Sequence, residues 1–187
     1  MDLDLILTEI YKIPNTSLQQ LREHIHVVKY PKGHILLHAH KVENTIYFIK
    51  EGLVRAYSDT ENNSITFWFG KEGDTIISMR SYIEQQRGYE NIELLENSTL
   101  YQLNSNKLKD LFQTDIHIAN WGRKFAEKEL INTEKRLIAR QFKTASERYT
   151  ELLINHPYLI QRVQLSYIAS FLGISQVSLS RIRAEKK

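Results

Sequence analysis

The order of hydrophobic and polar residues divides the chain into three parts. In the first part, "DLDLILTEIYKI" has apolar residues at helical spacing, and "TSLQQLREHI" has Thr16 and Gln19 at the spacing of a capping box, so both segments predict helices. From Val27 to Leu103 the chain consists of short runs rich in Ile, Val, Tyr, Phe and Thr, separated by turn signals such as Glu51-Gly52. The predicted strands are VVKY, HILLHA, TIYFIKEGLVRAYSD, SITFWFG, TIISM, NIELLEN and STLYQL. Strands at such regular spacing predict a small antiparallel roll or barrel.

After Leu103 the turn residues almost disappear, and the third part is predicted to be helical. A short helix is expected from Asn104 to Phe112, and a long helix from Ile116 to about Lys143, a stretch without proline. Residues at intervals of four, three and four form an a/d seam on the long helix: Ala126, Leu130, Thr133 and Leu137. The seam predicts a dimer-forming helix, and the alternative is a helix face that packs on the roll.

A further helix is expected to begin at Thr144, because Thr144 and Glu147 again have the spacing of a capping box. It should end near Asn155, since Pro157 follows and cannot continue a helix from the residues before it. The segment "LIQRV" after this proline is consistent with a short strand.

The last stretch, "LSYIASFLGISQVSLSRIR", fits two helices around a tight turn. Ala169 is small enough to let a second helix cross closely, and Gly173 supplies the backbone freedom of a sharp turn. Ser175 is a natural N-cap for the second helix, on which Leu179 and Ile182 face inward. This spacing predicts a helix-turn-helix, and the plain alternative is a helical hairpin that packs its apolar face into the core.

The outward side chains of this second helix suit contacts with double-stranded DNA. Arg181 can form a bidentate pair with guanine and Gln176 with adenine, and Val177 can contact a thymine methyl group, so we predict that these three read bases. Hydroxyl, amide and cationic groups around them suit phosphate oxygens. The candidate phosphate contacts are Ser175, Ser178, Ser180, Arg183, Lys186 and Lys187.

Charge and composition narrow the possible functions. Residues 1–122 contain 12 Lys and Arg against 16 Asp and Glu, a net charge of −4, whereas residues 123–187 contain 13 against 6, a net charge of +7. A basic C-terminal part favours a polyanionic partner. The chain has no cysteine, which excludes disulfides, thiolate-bound zinc and cysteine-held iron–sulfur clusters. It shows no signal-peptide pattern and no apolar run of membrane-spanning length, so we expect a cytoplasmic protein without a membrane partner.

Over nearly its whole length the chain resembles the CRP/FNR family of bacterial transcription regulators. The resemblance is carried, in order, by the N-terminal helices, "YFIKEGLVRAY", "EGD" at Glu72 to Asp74, the long helix and "YIASFLGISQVSLSRIR". It implies a homodimer, joined by the long helices, that binds a palindromic DNA operator. It also implies RNA polymerase as a further partner.

The resemblance implies an α+β fold in three parts. Residues 1–115 would form a cyclic-nucleotide-binding-like antiparallel β-roll, similar to a cupin jelly roll, with flanking helices. Residues 116–143 would form the dimerisation or linker helix, and residues 144–187 an all-α helix-turn-helix domain. A winged helix normally continues into a strand hairpin beyond the recognition helix, and the sequence stops at Lys187, so we expect a truncated winged helix.

One part of the family pattern is missing from the sequence. The family's cyclic-nucleotide cassette has Gly-Glu-Leu, in which the glutamate accepts from the ribose hydroxyl, and later Arg-Ser or Arg-Thr, in which a buried arginine neutralises the phosphate. The corresponding stretches here read Ile77-Ser78-Met79 and Gly88-Tyr89-Glu90. Because a phosphate buried without its arginine is too costly, we expect that any small-molecule effector, whose identity is unknown, is not cyclic AMP. The alternative is that Arg87 or Arg80 supplies the missing charge after a shift of register. The candidate pocket residues are Ser78, Met79, Arg80, Arg87 and Tyr89.

Other classes of function have weaker support. A ligand sensor or scaffold could use the roll alone and carry a helix-turn-helix that no longer binds DNA. His38 and His40 would point the same way on an extended strand, but solvated strand histidines are the simpler interpretation, and no metal site or cofactor is expected. The sequence contains no P-loop, nucleophile elbow or HExxH motif, so an enzyme is not expected.

Overall fold

A computed structural model describes residues 1–61 and 63–185, which form helices and strands in an α+β arrangement. The described helices are α1 (Leu3–Ile10), α2 (Asn15–Glu23), α3 (Met79–Glu84), α4 (Ser105–Thr114), α5 (Ile116–Phe142), α6 (Ala145–Asn155), α7 (Pro157–Arg162), α8 (Leu165–Leu172) and α9 (Gln176–Glu185). The described strands are β1 (Ile25–Tyr30), β2 (Ile35–Leu37), β3 (Thr45–Glu51), β4 (Val54–Asp59), β5 (Ser64–Gly70), β6 (Thr75–Ile76), β7 (Asn91–Leu94) and β8 (Ser98–Asn104). The predicted fold class is therefore confirmed.

The strands form two four-stranded sheets, one in the order β1-β8-β3-β6 and the other in the order β2-β7-β4-β5. In the first sheet Val27 of β1 lies opposite Tyr101 of β8, and Tyr47 of β3 lies opposite Gln102 of β8, both in antiparallel pairs. Most spatial neighbours are not neighbours in sequence, so the chain passes repeatedly from one sheet to the other. This crossing pattern is that of a roll, as predicted.

Strand β3 is buried on both faces, which explains why its sequence shows no polar alternation. Ile46 and Phe48 belong to the core beneath the helices. Because successive side chains of a strand point to opposite faces, Tyr47 and Ile49 point into the roll, where both are buried. Burial raises the pKa of Tyr47 to about 12, and the nearby Tyr30 adds to the shift. Tyr47 therefore remains protonated in the interior at physiological pH.

Helices α1, α2 and α4 and the start of α5 cover the sheet that contains β3 and β8. Trp121 of α5 lies at the centre of this core, and its indole N–H donates to the backbone carbonyl of Leu7 in α1 at 2.9 Å. The ring meets Phe48 edge-on at a centroid distance of 6.1 Å and stacks on Phe125 at 5.9 Å. These contacts fix the beginning of the long helix to the roll.

The chain forms two compact units that do not follow the order of the sequence. The roll unit comprises Met1–Ala56 and Phe69–Leu130, and the C-terminal unit comprises Tyr57–Trp68 and Ile131–Lys187. Strands β4 and β5 thus each have residues in both units. The C-terminal unit has its own apolar core, whose buried members are Tyr149, Leu152, Leu159, Val163, Ile168, Ala169, Leu172 and Leu179.

Of the two predicted capping boxes, one is confirmed and one is wrong. At α6 the Thr144 hydroxyl accepts from the Glu147 amide at 3.2 Å, and the Glu147 carboxylate accepts from the Thr144 amide at 2.8 Å. The latter hydrogen bond lowers the pKa of Glu147. Helix α2 instead begins at Asn15, directly after Pro14, so Thr16 lies inside the first turn and cannot be its cap.

Two predicted strand segments are partly or wholly helical. "LIQRV" lies mainly in α7, which begins at Pro157 because proline at the first helical position has a suitable φ and needs no hydrogen bond for its nitrogen. In "TIISM" only Thr75 and Ile76 form strand β6, and Met79 begins α3, a helix that was not predicted.

Gly52, between β3 and β4, is expected to tolerate no side chain. Its φ is +126°, and an added Cβ would lie 3.1 Å from the Ser98 Cα and collide with the Ser98 hydroxyl. Gly52→Ala should lower the free energy of unfolding by about 2–5 kcal/mol, from backbone strain plus overpacking. Urea unfolding followed by circular dichroism would measure this loss.

Gly33 provides the matched control for that substitution. Its φ is +83°, but nothing lies within 4 Å of an added Cβ. Gly33→Ala should therefore lower the free energy of unfolding only by the cost of backbone strain, about 1–2 kcal/mol. Equal losses at the two positions would show that Ser98 does not crowd Gly52.

Candidate nucleic-acid interface

Helices α8 and α9 are joined by a turn that its backbone hydrogen bonds define. Gly173 follows α8 in the left-handed region, with φ of +68°, as expected for the turn glycine. The Ile174 amide donates to the Ala169 carbonyl and the Gly173 amide to the Ser170 carbonyl, each at 3.0 Å, which is a Schellman motif. The turn thus satisfies two carbonyls at the end of α8 and redirects the chain within three residues.

Ser175 caps α9, as the sequence predicts. The Ser178 amide donates to the Ser175 hydroxyl at 3.1 Å, and the two hydroxyl oxygens lie 2.9 Å apart. This places both serines at the amino end of α9, where backbone N–H groups and the helix dipole favour anions.

The facing sides of α8 and α9 form a small apolar joint. Ile168, Ala169 and Leu172 of α8 are buried, and so is Leu179 of α9. Ile182, also predicted to face inward, is half-buried. Because Ala169 adds only a methyl group to the joint, the two helices can approach closely.

The opposite face of α9 is open to solvent. Gln176, Val177 and Arg181 are all exposed, and 63% of Val177 is accessible to solvent. Val177 and Arg181 lie one helical turn apart, and Gln176 lies beside Val177 at the amino end. The structure thus brings the three candidate base-reading residues onto one surface.

The candidate phosphate contacts are placed less uniformly. Ser180 is exposed, but its hydroxyl donates to the Gln176 carbonyl at 3.0 Å, so it is turned toward its own helix. Arg183 is half-buried in the last turn of α9. Lys186 and Lys187 lie outside the described residues.

Arg148 of α6 supports the end of α8 through hydrogen bonds, a role that the sequence analysis missed. Its guanidinium donates to the Leu172 carbonyl at 2.8 Å and also to the Lys143 carbonyl. Carbonyls at a helix C-terminus need such donors. The need was visible in the sequence, but no sequence pattern indicates which distant arginine supplies the donor.

The long helix α5 carries an exposed apolar stripe. Leu130 and Leu137 of the predicted seam are 71% and 60% exposed, and Ala126 and Thr133 are exposed as well. At 100° per residue, Ala126 and Thr133 lie at one edge of the stripe rather than at its centre. The stripe is completed by side chains that the sequence analysis missed: Ile131, Ile138 and Phe142.

The missed residues on α5 could have been predicted from their spacing in the sequence. Ile131 and Ile138 are seven residues apart, one position after Leu130 and Leu137, so the two pairs form parallel heptad tracks. Phe142 extends the same face and is 78% exposed. The two tracks lie on either side of a line of polar residues, Glu127, Glu134 and Gln141. Exposed apolar side chains that repeat in this way along one helix are typical of an interaction surface.

The candidate effector residues do not converge on one interior site. Only Ser78 is buried, and its hydroxyl donates to the Ser81 hydroxyl at 3.1 Å. Arg80 is exposed and donates to Gln86 at 2.7 Å. Met79, Arg87 and Tyr89 are also exposed.

Buried beside Ser78 are two residues that the sequence analysis did not select. A Cβ added to Gly88 would lie 2.8 Å from the Ser78 hydroxyl oxygen and 3.3 Å from the Glu90 carboxylate oxygens. Glu90 is buried, and its carboxylate accepts from the Tyr89 amide at 3.0 Å. Partial burial raises the pKa of Tyr89, and the Glu90 carboxylate raises it further. A carboxylate at this place disfavours a phosphate group, since like charges repel strongly away from water.

Within residues 1–61 and 63–185, no group of three or more His, Asp or Glu side chains is arranged to hold a metal ion. His38 lies beside Glu43, whose carboxylate accepts from the His38 amide at 3.0 Å, and His34 stacks on Tyr30 at 4.3 Å. In the same part of the chain, no helix has both the length and the apolar character needed to cross a bilayer.

Comparison with known proteins agrees with the observed architecture. Residues 27–115 match the family model of the cyclic nucleotide-binding domain. No curated protein sequence matches the chain.

Several solved structures share the fold at low sequence identity. FixK2 from Bradyrhizobium japonicum has a TM-score of 0.73 at 17% identity, with 86% of this chain and 83% of that chain covered. The c-di-GMP-responsive global regulator CLP from Xanthomonas campestris has a TM-score of 0.72 at 18% identity, covering 92% and 91%. The catabolite activator protein of Thermus thermophilus has a TM-score of 0.60 at 15% identity, covering 96% and 85%. The predicted resemblance to CRP/FNR regulators is confirmed at the level of the fold.

Removal of the α9 cap should loosen the start of this helix without unfolding the protein. Ser175→Ala deletes the acceptor of the Ser178 amide and should cost about 1 kcal/mol locally, which corresponds to roughly fivefold faster exchange of that amide. Hydrogen exchange followed by NMR would measure it. Ser175→Asn, which retains a capping acceptor, should exchange nearly as slowly as the wild type, and equal acceleration in both variants would contradict the capping role.

Proposed function

We propose that the protein is a homodimeric, sequence-specific DNA-binding transcription regulator of the CRP/FNR type. The observation that carries this proposal is the solvent-exposed set Gln176, Val177 and Arg181 on α9, a helix capped at its start and braced by α8. Their amide, apolar and guanidinium groups match the edges of bases in the major groove. The net charge of +7 over residues 123–187 supports a polyanionic partner.

In this proposal the residues of α9 divide the work between bases and phosphates. Arg181 pairs with guanine, Gln176 pairs with adenine, and Val177 contacts a thymine methyl group. Ser175 and Ser178 contact phosphate at the amino end of the helix, where the dipole is favourable. The phosphate set is completed by Ser180, whose hydroxyl must exchange its bond to Gln176, and by Arg183, Lys186 and Lys187.

Two copies joined along the α5 stripe would present two α9 helices to one DNA molecule. A palindromic operator with half-sites about 34 Å apart follows from such a twofold arrangement. Covering the exposed leucines, isoleucines and Phe142 supplies the driving force for association.

The roll is proposed to hold a small-molecule effector other than cyclic AMP. The match of residues 27–115 to the cyclic nucleotide-binding domain supports a ligand-binding role. The buried carboxylate of Glu90 beside Gly88 argues against a cyclic phosphate at this place.

Arg181→Ala tests the assignment of base reading. The operator is first selected from random DNA with the wild-type protein, and the variant is then measured on this operator and on single-base variants. Loss of one bidentate pair should weaken operator binding by about 1–3 kcal/mol and remove the preference at one position of each half-site.

Arg183→Ala is the matched control, since it removes the same charge from the same helix. It should weaken binding to all sequences and flatten the dependence of affinity on salt. A wild-type protein that binds no DNA in a salt-dependent manner would overturn the proposed function and favour a ligand sensor or scaffold. Unchanged base preference in Arg181→Ala would remove Arg181 from the reading set.

Leu137→Asp tests the dimer. A carboxylate at this position of the α5 stripe should convert the dimer to a monomer in sedimentation velocity at micromolar concentration, because the buried charge would have no partner. Ile154→Asp is the control, since Ile154 is also exposed, at 71%, but lies on α6. Dissociation by both variants, or by neither, would contradict the α5 interface.

A further inference from the structure

Strand β5 lies at the outer position of its sheet, and part of it packs in the C-terminal unit. Its neighbour in the described sheet is β4 on one side only. The segment Tyr57–Trp68, which contains the ends of β4 and β5 that meet at their hairpin, belongs with residues 131–187. An outer strand presents backbone N–H and C=O groups that need partners.

Ser170 of α8 supplies partners for two of these groups. Its hydroxyl accepts from the Thr66 amide at 2.9 Å and donates to the Ser64 carbonyl at 3.1 Å. The two strand groups are two residues apart and point to the same side, so one hydroxyl can serve as donor and acceptor at once. Thr66 is fully buried at this contact.

The position of Ser170 in α8 links this contact to α9. The residue directly before it, Ala169, and Leu172 two residues later form the joint with α9. The Ser170 carbonyl accepts from the Gly173 amide in the turn. On the other side, Arg148 holds the Leu172 carbonyl. Helix α8 is therefore held by the hairpin through Ser170, by α6 through Arg148, and by α9 through its apolar face.

The other end of the hairpin is fixed separately, inside the roll unit. Arg55 of β4 is buried, and its guanidinium pairs with the Glu93 carboxylate of β7 at 2.9 Å. Breaking such a buried pair is costly, so this end of β4 is firmly anchored. Arg55 and Glu93 both belong to the roll unit, whereas the contact of Ser170 with Ser64 and Thr66 lies wholly within the C-terminal unit.

We infer that Ser170 is a positioning residue, a clasp that holds α8 to the β5 hairpin and thereby sets the orientation of the base-reading helix α9. The effect on DNA recognition rests on the proposed function, whereas the clasp itself does not.

The clasp is tested without DNA by amide exchange at Thr66. Ser170→Ala removes both hydrogen bonds and should accelerate exchange of the Thr66 amide about tenfold, measured by NMR in the full chain. Ser170→Thr keeps the hydroxyl and should stay within about threefold of the wild type. Ser166→Ala, which truncates an exposed serine of the same helix, should leave the Thr66 amide unchanged. Unchanged Thr66 exchange in Ser170→Ala would overturn the clasp.

The role in DNA recognition is tested by the ratio of specific to non-specific affinity. In Ser170→Ala the affinity for the selected operator should fall about fivefold, while the affinity for random DNA, which depends on charge, stays the same. Ser170→Thr should restore the ratio.

The positioning role would be overturned if Ser170→Ala lowered the affinity for the operator and for random DNA equally. It would also be overturned if the operator affinity were unchanged although the Thr66 amide exchanged faster. Absence of DNA binding by the wild type would overturn this role together with the proposed function. The Thr66 exchange would still decide whether the clasp exists.

Discussion

The hydrogen bond from the Trp121 indole to the Leu7 carbonyl is the constraint on which the roll unit depends. Burying an indole of about 200 Å² contributes roughly 5 kcal/mol, whereas the net contribution of one hydrogen bond is about 1 kcal/mol. The bond therefore matters less for its energy than for the orientation it imposes. A buried indole N–H without an acceptor is penalised, so α5 can leave the roll only in the direction that brings Trp121 to Leu7 and Phe48.

Much of the fold could be predicted because it depends on local chemistry. The runs of β-branched and aromatic residues, the turn at Gly52 and the capping box at Thr144 each specify their own neighbourhood. The errors arose where two local signals competed. Thr16 fits a cap, but Pro14 starts the helix earlier, and the apolar residues after Pro157 fit a strand as well as a short helix. Nothing in the composition of Met79–Glu84 separates a helix from an extended segment.

The candidate site was predictable to a different degree in its two parts. The exposed face of α9 follows from helical spacing, since the inward positions Leu179 and Ile182 leave only one side for the remaining residues. The supports of this helix could not be predicted in the same way. Arg148 and Ser170 act across 24 and more than 100 residues of sequence, respectively. Which backbone groups they meet is decided by tertiary packing. The role of the buried Glu90 likewise could not be predicted, because it depends on its proximity to Gly88 and Ser78 in the folded chain.

The cover that α8 places over β5 has a consequence for solubility. An uncovered outer strand is a template for pairing with strands of other molecules, and proteins commonly protect such edges with a helix, a charge or a bulge. Here the protecting group is a single hydroxyl, whose two hydrogen bonds occupy the backbone positions that an incoming strand would use. Any state that lifts α8 away from the hairpin therefore exposes an aggregation-prone edge. Movement of the helix pair and intermolecular association are thus opposed by the same contact.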